Sequence, residues 1–172
     1  CMDRVVIIRA NDDVTKLLMQ EATDFEMDTI QVHNEKFLNC KLNDFKFGLK
    51  GYVDKYIVDD EAKTITIVDL KTTAKPLENF AETVDFYNYW LQAAVYSLLV
   101  VKNVDENQQK YKIIFKFVVI DKYDQVYVFP VEEKTLIKWI NSLREALQRA
   151  NYHYSERKYD LPYDFATGNV TL

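Results

Sequence analysis

Short runs of β-branched and aromatic residues alternate along this chain with longer stretches whose apolar positions recur at helical spacing. Near the start, Asp12 and Asp13 offer caps ahead of Val14, Leu17, Leu18, Ala22 and Phe25, a stripe that predicts a helix. From Thr29 to Leu42 the pattern turns strand-like, with Ile30, Val32 and Phe37 among β-tolerant neighbours. Phe45 to Val58 predicts a second strand, interrupted at Gly48 and Gly51, where a bend or bulge would fit. Asp59 to Lys63 predicts a turn, Thr64 to Lys71 a third strand, and residues 72–82 a loop long enough to carry a task. Thr83 to Val101 predicts one long helix. Tyr111–Ile120 and Gln125–Val131 predict a hairpin joined through Asp121–Asp124. Glu132 to Ala150 predicts the last helix, acidic at its start and carrying Arg144 and Arg149 near its end, as the helix dipole favours. Residues 152–172 show no clear period. The order α-β-β-β-α-β-β-α predicts an α/β fold, a central mixed β-sheet flanked by helices, in a single domain over residues 1–172.

Register arithmetic on the second and third strands brings out the chemistry. With the turn centred between Glu61 and Ala62, Val58 faces Ile65, Tyr56 faces Ile67, Asp54 faces Asp69, and Tyr52 faces Lys71. Directly opposed Cβ atoms lie about 5 Å apart. Two residues on from Asp69, Lys71 projects from the same face. Tyr56, Val58, Ile65 and Ile67 then share the carboxylate face, while Val53, Ile57, Val68 and Leu70 line the other. Both faces are apolar, so the hairpin is expected to be central and covered on both sides. Opposed carboxylates in such strands need a proton or a cation between them, and a hard ion, Mg²⁺ or Mn²⁺, suits oxygen ligands.

Composition removes competing chemistries. Only three glycines occur, Gly48, Gly51 and Gly168, and no Rossmann or P-loop phosphate cradle can be written with them. Cys1 and Cys40 cannot build a disulfide framework or a four-thiolate cluster. His33 and His153 are read as structural, and Cys40 as a small apolar residue. No apolar run approaches the roughly 18–20 residues of a membrane span. The Cys-Met opening creates the expectation that the chain is a fragment of a longer one.

Three motifs together resemble a known family: Gly51-x-Val53-Asp54, then Asp69-Leu70-Lys71-Thr72-Thr73, then Gln92-x-x-x-Tyr96. The set is similar to the PD-(D/E)XK nuclease superfamily, and within it to the RecB-like branch of phage recombination exonucleases and mitochondrial genome-maintenance exonucleases. That resemblance implies a restriction-endonuclease-like core and a Mg²⁺- or Mn²⁺-dependent DNA exonuclease of recombination, repair or replication. It implies that Asp54 and Asp69 ligate the metal, with the backbone carbonyl of Leu70 completing the shell. Lys71 would orient the attacking water, and Gln92 and Tyr96 would contact the site or the nucleic-acid backbone. A further acid on the preceding helix is expected, with Glu21 the best candidate and Glu35 its rival. The implied partners are single-stranded DNA or duplex ends, and a helicase, recombination or single-strand-binding protein, with no membrane. The implied location is the cytoplasm of a bacterial or phage-infected cell, with mitochondrion and nucleus as alternatives. Two other readings share the motifs: a catalytically silent binding module of the same fold, and a restriction endonuclease.

A net charge of −5 weighs against indiscriminate coating of duplex DNA. Lys134, Lys138, Arg144, Arg149, Arg157 and Lys158 nevertheless form a local basic track, which favours a transient substrate held at one metal-loaded groove. Phe80, Phe86, Tyr87, Tyr89 and Trp90 follow Lys71 closely enough to be candidates for stacking on unpaired bases.

Overall fold

The computed structural model describes residues 12–19 and 29–170. Helix α1 (Asp12–Met19) precedes three strands, β1 (Ile30–Lys41), β2 (Gly48–Asp59) and β3 (Thr64–Thr72). A short 3₁₀ turn at Leu77–Asn79 leads into helices α2 (Phe80–Phe86) and α3 (Tyr89–Asn103). Strands β4 (Lys112–Ile120) and β5 (Val126–Val131) follow, then helix α4 (Glu133–Glu156) and the short α5 (Tyr163–Thr167).

The five strands lie in the order β1-β2-β3-β4-β5. Strands β3 and β4 are parallel and the other neighbours antiparallel, so the sheet is mixed. The parallel pair needs a crossover, which α2 and α3 supply. Ile65, Ile67, Phe115 and Phe117 on one sheet face pack with Ala93, Leu99 and Val100 of α3 and Leu136 of α4 in the main core. Each such fully buried branched or aromatic side chain contributes about 1.5–3 kcal/mol of transfer free energy. The opposite face puts Val68 and Val118 against Val14 of α1, with Leu17 and Leu18 alongside. No helix among the described residues is long and apolar enough to cross a membrane.

The hairpin register matches expectation through its inner part, with Val58 opposite Ile65 and Tyr56 opposite Ile67. Pairing ends at Lys55↔Val68, so the Asp54–Asp69 and Tyr52–Lys71 rungs are not made. At Asp54 the side-chain alternation of β2 reverses. Tyr56 and Val58 face the main core, yet so does Val53. A Cβ on Gly51 would lie 3.4 Å from Leu99 and 3.6 Å from Tyr96 of α3. Lys55 points the other way, its Nζ donating to the Leu18 carbonyl of α1 at 2.9 Å. Strand β1 reverses with it: His33 stacks on Tyr56 at 4.3 Å, whereas Leu38 and Cys40 belong to the core. Asn34↔Lys55 and Lys36↔Val53 keep one register on both sides, so no residue is inserted. The switch sits at Glu35, whose φ of 44° is left-handed, and at Asp54 opposite it. This corrects the expected faces: Val53 joins the carboxylate side, and Tyr52 turns outward beside Phe37, with ring centroids 5.1 Å apart.

The predicted helix over Thr83–Val101 is two helices. Asn88 adopts a left-handed φ of 55° between them, a conformation Asn tolerates better than most residues. Much of the predicted loop 72–82 is ordered as the 3₁₀ turn and the start of α2. The tail without clear period holds the end of α4 and all of α5.

Candidate active site

Asp69 lies where β3 passes beneath α3, and its side chain is buried, with 1% of its surface exposed. The Lys71 ammonium is 2.5 Å from its Oδ2, while Oδ1 has no hydrogen-bond partner among the described residues. Burial pushes this carboxyl up to about 6. Lys71 opposes that shift, and the nearby Asp54 carboxylate adds to it. Asp54 itself is exposed, and its Oδ2 accepts from the Leu70 backbone N–H at 2.9 Å. That bond takes over where the β2–β3 ladder stops, so the parting of the strands is what frees Asp54 to lean toward β3. Leu70 therefore enters the site through its backbone, while its side chain is 41% exposed on the other face.

Helix α3 roofs the two carboxylates. Gln92 and Tyr96 are one turn apart, and the Gln92 amide donates to the Tyr96 hydroxyl at 2.8 Å. Burial raises the Tyr96 hydroxyl pKa, the Gln92 bond offsets part of the rise, and the Asp69 and Asp54 charges add to it. Tyr96 is thus kept a proton donor, facing both carboxylates. Helix α3 passes close to Gly51, where a Cβ would be in van der Waals contact with Leu99 and Tyr96.

The structure thus brings Asp54, Asp69, Lys71, Gln92 and Tyr96 together, with Leu70 at the edge. Glu21 lies outside the described residues. Glu35 is exposed, and no group of three or more His, Cys, Asp or Glu among the described residues could hold a metal ion. Tyr89 is the site residue that sequence reasoning left in a general aromatic cluster: the Lys71 ammonium sits over its ring, 4.8 Å from the centroid. Spacing puts Tyr89, Gln92 and Tyr96 at i, i+3 and i+7 on one helix face, but does not say whether the Tyr89 ring meets a cation or fills the core. Burial, Tyr87 and then Asp69 raise the Tyr89 hydroxyl pKa. His33 is packed on Tyr56 with its pKa lowered by burial and then by Lys36, in keeping with a structural role.

Whether these residues fit a divalent ion can be judged from Asp69. A buried carboxylate with an oxygen that has no partner among the described residues, next to a second carboxylate open to solvent, is an arrangement that a hard cation would complete. Mg²⁺ commonly takes only one or two carboxylates and fills its remaining positions with water and substrate phosphate. The pair Asp54 and Asp69 fits that demand.

No curated protein matches the chain. Among solved structures, one similar chain is a candidate exonuclease from Eubacterium rectale, at 19% identity and a TM-score of 0.56, covering 87% of this chain and 56% of that one. This chain therefore spans little more than half the length of that protein, and the likeness is one of fold. SSO0001 matches at 12% identity and a TM-score of 0.37, over 82% of this chain and 57% of that one, and carries no argument. The sequence itself is more decisive. Residues 8–160 match the PD-(D/E)XK nuclease superfamily, most of the chain and every element from α1 to α4, and the chain belongs to that superfamily.

Proposed function

We propose that this domain is a divalent-metal-dependent deoxyribonuclease that hydrolyses phosphodiester bonds from DNA ends, serving recombination, repair or replication. The observation that carries the reading is the buried Asp69, with one oxygen unpartnered among the described residues, between Lys71 and the exposed Asp54. Asp54 and Asp69 would hold Mg²⁺ or Mn²⁺. A bound ion there supplies a more acidic water and a polarised phosphate. Lys71, held in place by the Tyr89 ring, offsets charge on the phosphate and aligns the attacking water. Tyr96 donates its hydroxyl proton in a hydrogen bond toward a non-bridging oxygen, and Gln92 fixes the direction of that donor. Membership of a nuclease superfamily supports hydrolysis, and the name of the Eubacterium rectale protein supports action at ends.

The test is degradation of end-labelled linear and circular DNA, single-stranded and duplex, with Mg²⁺, Mn²⁺ or chelator. Hydrolysis of linear but not circular strands is expected, with Asp69→Ala and Lys71→Ala each lowering the rate by about 10²-fold or more. Undiminished rates in those variants overturn the site. Cutting of closed circles overturns the end-dependence.

A further inference from the structure

From Lys71 a row of aromatic rings runs outward to solvent. Tyr89, over which the ammonium sits, is backed by Phe80 and Phe117, with centroids 6.3 and 6.4 Å away, so its ring is anchored to the core. Tyr87 stacks on Tyr89, centroids 5.6 Å apart and planes 23° from parallel. Phe86 meets Tyr87 edge-on at 4.9 Å, and Lys75 lies 5.8 Å from the Phe86 centroid. Phe86 and Tyr87 are 73% and 59% exposed. The left-handed Asn88 makes the arrangement, because it ends α2 just after these two rings and restarts the chain as α3. Asn88 is itself held, its Oδ1 accepting from the Trp90 indole at 3.1 Å. Two large exposed rings are thus fixed by a backbone break and by stacking on an anchored third ring.

We infer that the exposed Phe86–Tyr87 pair, backed by Tyr89, is a stacking platform for unpaired bases next to the phosphate that Lys71 would hold. The inference rests on the nuclease reading for its ligand, and it names the substrate class as nucleic acid with a single-stranded end. The dimensions agree. Tyr89 is 4.8 Å from the Lys71 ammonium and Tyr87 5.6 Å further on, so the outer ring lies within about two nucleotide steps of the phosphate. The charges agree as well. Glu78, Glu82 and Asp85 are exposed on the preceding turn and helix, with Lys75 beside Phe86 and Lys71 beside Tyr89, so this stretch is not a basic phosphate track and what it offers a strand is its ring faces. Within a duplex both faces of each base are already stacked, and only an unpaired segment can lay successive bases on the rings.

Binding is read by fluorescence anisotropy with a labelled oligothymidine in chelator, and hydrolysis of the same oligonucleotide is followed in Mn²⁺. Tyr87→Leu keeps bulk but removes the π-face; it should weaken oligothymidine binding about tenfold or more, as loss of one base–aromatic stack does. Tyr87→Trp should bind at least as tightly as the unaltered protein. An oligonucleotide abasic at two successive positions should bind the unaltered protein no better than oligothymidine binds Tyr87→Leu. Unchanged thermal midpoints show that these exposed substitutions leave the fold intact. Equal binding by Tyr87→Leu, equally weak binding by Tyr87→Trp, or no penalty for the abasic strand overturns the platform. If hydrolysis proceeds while Tyr87→Leu binds and cuts like the unaltered protein, the platform fails and the nuclease reading stands. If no strand is hydrolysed but the binding pattern holds, the nuclease reading fails and the platform stands.

Discussion

At the scale of single residues, Asp69, the carboxylate proposed to hold the metal, is also a source of instability. Its carboxyl is raised by burial from 3.8 to about 6, so between those pH values the folded state binds more protons than the unfolded state. Stability therefore falls as pH rises through roughly 4 to 6 and is flat above, with a total loss of at most about 3 kcal/mol. Asp69→Asn removes the charge while keeping the shape, and leaves Lys71 without its partner, so a net gain of about 1–2 kcal/mol is expected at pH 7.5. Urea titrations at pH 7.5 and pH 3.5, without metal, measure it. The gain should be present at the higher pH and absent at the lower. A variant less stable than the parent at pH 7.5 would show that the Lys71 ion pair outweighs the burial of the charge. Asp54, Asp69 and Lys71 were legible from strand register alone, whereas Gln92 and Tyr96 entered only through the family resemblance, because a polar pair one helical turn apart does not by itself mark a site. Tyr89 was less so, since nothing in spacing distinguishes a ring that carries a cation from one that fills a core.

Among the elements, the contact of α3 with β2 decides the geometry. Gly51 and Val53 face α3 only because β2 reverses its alternation at Asp54, together with β1 at the left-handed Glu35. Strict period-two reading places Val53 on the wrong face and Tyr52 opposite Lys71; a reversal without an inserted residue leaves no mark in the hydrophobic pattern. The register of the inner hairpin was legible because an Asx-type turn, with Asp59 Oδ1 accepting from Glu61 and Ala62, holds its centre. The split between α2 and α3 was not, because Asn88 carries no helix-breaking signal as strong as Gly or Pro. The role given to Gly51 can be checked. Its Cβ position is 3.4 Å from Leu99 and 3.6 Å from Tyr96, so one methyl fits in ordinary contact, while the further carbons of a branched side chain would have to displace those neighbours. Gly51→Ala should unfold within about 1 kcal/mol of the parent. Gly51→Val should lose about 1–3 kcal/mol through overpacking, and cleavage should fall further than stability as Tyr96 is displaced. A Gly51→Val variant with parental stability and rate would contradict the close approach of α3.

For the molecule as a whole, the mixed sheet sets two carboxylates at the point where β2 and β3 part, between a helix on each face, with Lys71 paired to Asp69 among the described residues. With a net charge of −5, the long-range field attracts cations rather than nucleic acid. On the proposed function, a divalent ion would be drawn to the site first, and the loaded site would then attract a phosphate. That order predicts a stability effect independent of any substrate. An ion that binds the folded state alone adds about 1.4 kcal/mol when its concentration is ten times its dissociation constant. In a chain of 172 residues this corresponds to a rise in thermal midpoint of about 3–5 °C. Scanning calorimetry during Mn²⁺ titration should show that rise, chelator should reverse it, and Asp54→Asn or Asp69→Asn should abolish most of it. The magnitude should also exceed that produced by the same ionic strength of NaCl, since screening alone does not fill a buried coordination position. A midpoint insensitive to Mn²⁺, or a shift that survives both carboxylate substitutions, would mean that this pair does not hold the metal.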